Sequence, residues 1–72
     1  MEFSKETIIE LRNGKELPGQ LIAHSDLAGF YRAPDGIVWC RNRAVVNSGW
    51  SNCGRLTREI FEKRYIGKWV AE

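Results

Sequence analysis

Thr7-Ile8-Ile9-Glu10-Leu11-Arg12-Asn13-Gly14-Lys15-Glu16-Leu17-Pro18-Gly19-Gln20-Leu21-Ile22-Ala23-His24 is the stretch on which the fold turns. Asn-Gly between two apolar runs is a strong hairpin signal. Parity then decides the loop length. A two-residue loop closing on Arg12 and Lys15 would set Glu10 against Leu17 and break the apolar face. A three-residue loop of Arg12, Asn13 and Gly14 pairs Ile9 with Leu17 and Leu11 with Lys15. Ile9, Leu11, Leu17, Gly19, Leu21 and Ala23 then share one side, and Gly14 takes the left-handed third position. Pro18 removes one ladder donor, so the strand is expected at an edge or bent there, with Gly19 allowing the curvature. The competing reading is a helix capped by Ser4 and ended by Gly14, but Ile8, Ile9 and Leu11 fit a strand better.

Outward from this hairpin, Ala33-Pro34-Asp35-Gly36 has the residues of a type I turn followed by a bulge. Pairing Ala33 with Ile37 sets Tyr31 opposite Trp39 and Phe30 opposite Cys40. Tyr31, Ala33, Ile37 and Trp39 form one face; Phe30, Arg32, Val38 and Cys40 form the other. Ala44-Val45-Val46 reads as a further short strand, and Ser48 to Gly54 as a turn-rich loop. Thr57 then caps a helix over about 57–66, with Leu56 and Phe61 as its hydrophobic staple. Ile60, Phe61, Arg64 and Tyr65 lie on one helical face, and Gly67 is the expected stop. Lys68 to Ala71 forms a last short strand or a packed tail.

The whole chain has 72 residues, with 43% hydrophobic and 28% charged side chains, which fits one small globular unit over 1–72. No apolar run approaches the roughly 20 residues of a membrane span. The start, Met1-Glu2-Phe3-Ser4-Lys5, lacks the basic and apolar regions of a signal peptide. Cys40 and Cys53, without C-x-x-C spacing, point to a reducing cytoplasm rather than a stapled secreted domain. Those two cysteines and the lone His24 fall short of a four-ligand zinc site, and no cofactor motif is present. A Ser or Cys nucleophile would have to share that one histidine, so the expectation is a protein that is not an enzyme.

Binding remains, and the charge is uneven. The net charge is +2, yet residues 1–40 carry four basic and six acidic side chains, while 41–68 carry seven basic and two acidic ones. A basic half with interleaved rings is a footprint for nucleic acid. Arg41, Asn42, Arg43 and Arg55 are the candidate phosphate and polar contacts. Tyr31 and Trp39 are the candidate stacking rings, unless they serve only as a cross-strand pair. In the alternative, a protein–protein interaction module without nucleic acid, Trp50 and Arg58 form the anchor, unless Trp50 folds back onto the core.

Leu11-Arg-Asn-Gly14-Lys-Glu-Leu17-Pro-Gly19-Gln-Leu21, followed by Asp26, resembles the first motif of the Sm and Hfq-like RNA-binding proteins. Arg41-Asn42-Arg43-Ala44-Val45 is similar to the basic segment with which that family contacts uridine-rich RNA, and Asn42 and Arg43 stand where it has a lysine-histidine pair. The resemblance spans residues 8–46 and implies a small five-stranded SH3/Sm-like barrel, single-stranded RNA or DNA as partner, and assembly as a homo-oligomer. The helix near the C-terminus is additional to that pattern. The expected class is thus mainly β with one C-terminal helix. The short, aromatic-rich chain also resembles small prophage-encoded regulators of host machines.

Overall fold

The computed structural model describes residues 3–43 and 49–71. It is mainly β, as the pairing rules require: β1 (Glu6–Glu10), β2 (Glu16–His24), β3 (Ala28–Arg32), β4 (Val38–Asn42), β5 (Ser51–Asn52), a short helix α1 (Arg58–Arg64) and β6 (Lys68–Trp69). All strands belong to one antiparallel sheet in the order β1-β2-β3-β4-β5, with β6 added to β2. Among the described residues the sheet has six strands, where about five were expected. Among the described residues no ladder joins β1 to β5, so the sheet is an open path.

Both hairpins have the expected register. Ile9 faces Leu17, and the Leu11 N–H donates to the Lys15 carbonyl at 2.8 Å, which fixes the three-residue loop. No helix runs over residues 4–14. Gly14 and Gly36 hold φ of 84° and 88°, left-handed values that L side chains adopt only with strain. Tyr31 faces Trp39 and Phe30 faces Cys40. The Asp35 carboxylate accepts the Ile37 N–H at 3.0 Å and stiffens that turn. Leu11–Lys15 is a hydrogen-bonded pair, so by alternation Ile8–Pro18 is not. Pro18 thus lacks a donor on the side away from β1, where β2 meets β3 only from Gln20 onward.

Beyond Leu21 the expected face does not continue. The β2–β3 register slips between Leu21 and Ala23: Leu21 faces Tyr31, but Ala23 faces Phe30. This bulge turns Ala23, with Ile22, to the opposite side of the sheet. One face carries Ile9, Tyr31 and Ala33, packed by Leu11, Leu17, Leu21, Trp39 and Trp50. The other carries Ile22, Ala23, Phe30, Val38, Leu56 and Phe61. The bulge also divides one edge of β2, with β1 pairing along Glu16–Gln20 and β6 along Ala23–His24.

Beyond β4 the described residues depart from expectation in the loop before α1, at the helix end and on the helix face. Ser51–Asn52 pairs with β4, so the Ser48–Gly54 stretch is not wholly a loop. Ala44-Val45-Val46, expected as a strand, lies outside the described residues. Thr57 Oγ1 does accept the Ile60 N–H at 3.3 Å, but the helix ends at Arg64, and Tyr65 closes it in an extended conformation. Gly67 is not the left-handed stop; a Cβ there would run into the His24 carbonyl oxygen, so its role is close approach. Of the expected apolar helix face only Phe61 is buried, with Tyr65 stacked on its ring at 5.5 Å and Ile60 and Arg64 exposed. Arg58–Glu62 and Lys63–Glu59, each at 3.4 Å, are exposed pairs that contribute about 0.3–0.5 kcal/mol each.

Phe61 makes edge contact with Phe30 at 5.2 Å and lies 5.9 Å from Trp69, so it joins α1, β3 and β6. Phe61→Ala should cost about 3–5 kcal/mol in urea unfolding. Ile66→Ala, at a residue 97% exposed, should stay within about 0.5 kcal/mol.

Candidate functional site

Alternation along β4 puts Trp39 and Arg41 on one face, with Arg43 next in step just past the strand. Across the ladder they meet Tyr31, Gly29 and Leu27 respectively; the Arg43 N–H donates to the Leu27 carbonyl at 2.8 Å. Gly29 is the opening in this row. Without a side chain there, Phe3 comes down on the strand, and a Cβ at Gly29 would lie 2.9 Å from the Phe3 ring. Phe3 in turn stacks on His24 at 5.5 Å, and the Arg43 guanidinium sits 4.7 Å above the Phe3 ring. One step along, the Arg41 guanidinium lies 5.8 Å over Trp50. Two cations are thus seated on two rings in succession along one face.

Beside this row is a hollow of about 410 Å³ lined by Leu11, Arg12, Asn13, Trp39, Gly49 and Trp50, with Glu10 at its side. Arg12 comes from the tip of the first hairpin, so the charges of two hairpins converge on the two tryptophans. Trp39 is half-buried, and its indole N–H meets no acceptor among the described residues. An orphaned donor of that kind costs about 1–3 kcal/mol, which the ring's packing on the Ile9–Tyr31–Ala33 cluster must offset.

The expected site residues separate into two groups. Arg41, Arg43, Trp39 and Trp50 come together. Tyr31 does not offer a free ring: it is 5% exposed, donates its hydroxyl to the Ser4 carbonyl at 2.9 Å, and meets Trp50 edge-on at 5.6 Å. Burial pushes its hydroxyl above the ordinary value, with the Arg43 charge acting in the opposite sense. Asn42 alternates to the other face of β4. Arg55 lies over the turn at Gly36, roughly 20 Å along the hairpin from Arg43 at strand spacing. Arg58 begins α1, which packs on the opposite face from Trp50 and pairs its first residue with Glu62.

Phe3, Arg12 and His24 belong to the row although sequence reasoning gave them no binding role. Gly29 was the available signal, since a glycine inside a strand marks a close approach. Among the described residues no three His, Cys, Asp or Glu side chains gather as metal ligands, and no helix is long and apolar enough to cross a membrane. No protein-family model matches the chain, nor does any curated protein or solved structure.

Trp50 leans on Tyr31 rather than standing free. Trp50→Ala should therefore destabilise the protein by about 2 kcal/mol, less than loss of a fully buried ring. Urea unfolding checks this, and an unchanged midpoint would place the indole outside the core.

Proposed function

We propose that this protein is a non-enzymatic module that binds single-stranded nucleic acid, RNA in the first instance, along the row from Arg12 to Arg43. The observation that carries this reading is the pair of guanidiniums held on rings, Arg41 on Trp50 and Arg43 on Phe3. A ring beneath an arginine restricts its rotamers before binding, so less entropy is lost when the fork meets a phosphate. Trp39 and Trp50 at the hollow supply ring surface for bases, each stacked base contributing about 1–3 kcal/mol. The charge asymmetry points the same way: the basic half of the chain contributes Arg41 and Arg43, and Arg12 is brought to them by the hairpin.

The likeness of residues 8–46 to Sm and Hfq-like proteins supports the same ligand class. The finer fold reading, an SH3/Sm-like barrel, draws on the bent β2 and the apolar residues curled around Ile9 and Tyr31. The outer edges of β1 and β5 have no strand partner among the described residues, which suits assembly of copies edge to edge. The cytoplasm suits two unpaired thiols. A protein partner is the second reading, favoured by the exposed apolar side chains Ile60 in α1 and Ile66 and Val70 after it.

Three phosphate contacts, from Arg12, Arg41 and Arg43, imply a log–log salt slope near −2.1 for a single strand, or roughly 20-fold weaker binding between about 50 and 200 mM salt. Fluorescence anisotropy with a labelled uridine-rich RNA and the matching DNA measures it. Arg41→Ala with Arg43→Ala should flatten the slope by about 1.4 without unfolding the chain, because both side chains are exposed. Absence of binding to either strand at the lower salt would end this reading.

A further inference from the structure

Cys40 and Cys53 are thirteen positions apart in the chain and diagonal neighbours on adjacent strands of the sheet. Cys40 faces Ser51 and Trp39 faces Asn52 across β4 and β5. One step on, the Cys53 N–H donates to the Val38 carbonyl at 2.8 Å, and the Val38 N–H donates to the Gly54 carbonyl at 2.8 Å. Two residues thus oppose one, a bulge that ends the strand with Cys53 level with Val38. Val38 and Cys40 share a face by alternation, and Cys53 packs against the same Phe30–Phe61 cluster. Register and the shared cluster thus set the two thiols as diagonal neighbours on one face. They are close enough to perturb each other and the Tyr65 hydroxyl, while the Cys53 thiol donates to the Ser51 carbonyl at 3.8 Å. Both cysteines are free and half-buried. Neither takes part in the basic row, which lies on the other face.

We propose that Cys40 and Cys53 form a dithiol that hydroperoxides oxidise to an intramolecular disulfide, with Cys53 as the attacking sulfur and Cys40 as the resolving one. The hydrogen bond from Cys40, more than that from Tyr65, favours the charged form of Cys53 and lowers its thiol from 9.0 to about 7, although burial opposes this. The same hydrogen bond, then burial and the charge on Cys53, push the Cys40 thiol up. Near neutral pH one sulfur is therefore a nucleophile while its neighbour keeps its proton. The titratable groups facing the pair are these thiols and Tyr65, with Arg64 beside the tyrosine.

In the first step the Cys53 thiolate attacks the peroxide O–O bond. An S–O bond forms, the O–O bond breaks, and the released alkoxide takes a proton to leave as an alcohol. The Cys40 sulfur then attacks the sulfenic sulfur, displaces hydroxide, and gives up its own proton to make water. The dithiol loses two electrons and two protons, and the hydroperoxide is reduced to alcohol and water. Forming the bond draws the sulfurs to about 2.05 Å. β5 is two residues long and lies at the edge of the sheet, so little pairing resists that movement. The product ties β5, and the Trp50 segment leading into it, covalently to β4.

The test treats the full chain with hydrogen peroxide at neutral pH and reads free thiols, intact mass and a non-reducing peptide map. The expected result is loss of both thiols, a monomer lighter by two hydrogens, and a peptide linking Cys40 to Cys53. Cys40→Ala should leave a sulfenic acid on Cys53 that dimedone traps, whereas Cys53→Ala should leave Cys40 a thiol. Alkylation of Cys53 by iodoacetamide should rise with a midpoint near pH 7 in the native chain. That midpoint should move upward in Cys40→Ala, where the hydrogen-bond donor is gone. Two intact thiols after treatment, or disulfides only between separate chains, would overturn the proposal, and these readouts use the native chain alone.

Discussion

The slip in register between Leu21 and Ala23 is the constraint on which the rest of the molecule depends. A regular β2 would keep Leu17, Leu21 and Ala23 on one side, leaving Ile22 and Pro18 as the apolar residues of the other. With the bulge, the first half of β2 serves the Ile9–Tyr31–Ala33 cluster, and Ile22 and Ala23 serve the cluster built around Phe30. A chain of 72 residues gains from this arrangement, because the slip adds Ala23 to the apolar face that Phe30 and Val38 already form. It also frees the far end of β2 for β6, whose pairing at Ala23 and His24 brings the C-terminal segment under the sheet.

The helix is held by tertiary contact more than by its own sequence. Seven residues are too few for an isolated helix to persist in water. The Thr57 cap and two exposed ion pairs add only small increments, while Phe61 sits fully buried between Phe30 and Trp69. The close passage of Gly67 under the His24 carbonyl lets the chain turn from α1 directly into β6. The helix and the last strand thus share one anchor, and loosening Phe61 would release both.

The two faces differ in chemistry as well as in packing. On the face of Phe61 lie the two thiols, Cys40 and Cys53. On the other, arginines from different parts of the chain converge on Trp39, Trp50 and Phe3. Arg41 and Arg43 stood out in the sequence through the basic character of residues 41–68, and strand alternation is what sets both on one face. For Tyr31 the structure favours the cross-strand reading over the stacking one: alternation predicts its face, but nothing local predicts that Trp50 and Ser4 cover it. Arg55 failed for a similar reason, since its neighbour in space is a turn nearly twenty residues earlier.

By itself the sequence determined what depends on neighbours a few residues apart. Asn13-Gly14 and Pro34-Asp35-Gly36 specify their turns, each turn fixes its hairpin register, and register assigns side chains to faces. Thr57 marks the helix start for the same local reason. The tertiary structure alone decided where β2 slips, which edge β6 joins, that Ser51–Asn52 pairs with β4, and that Phe3 reaches over Gly29 to meet Arg43. Those outcomes follow from matching apolar areas and closing gaps between segments distant in the chain, and no window of neighbouring residues contains that information.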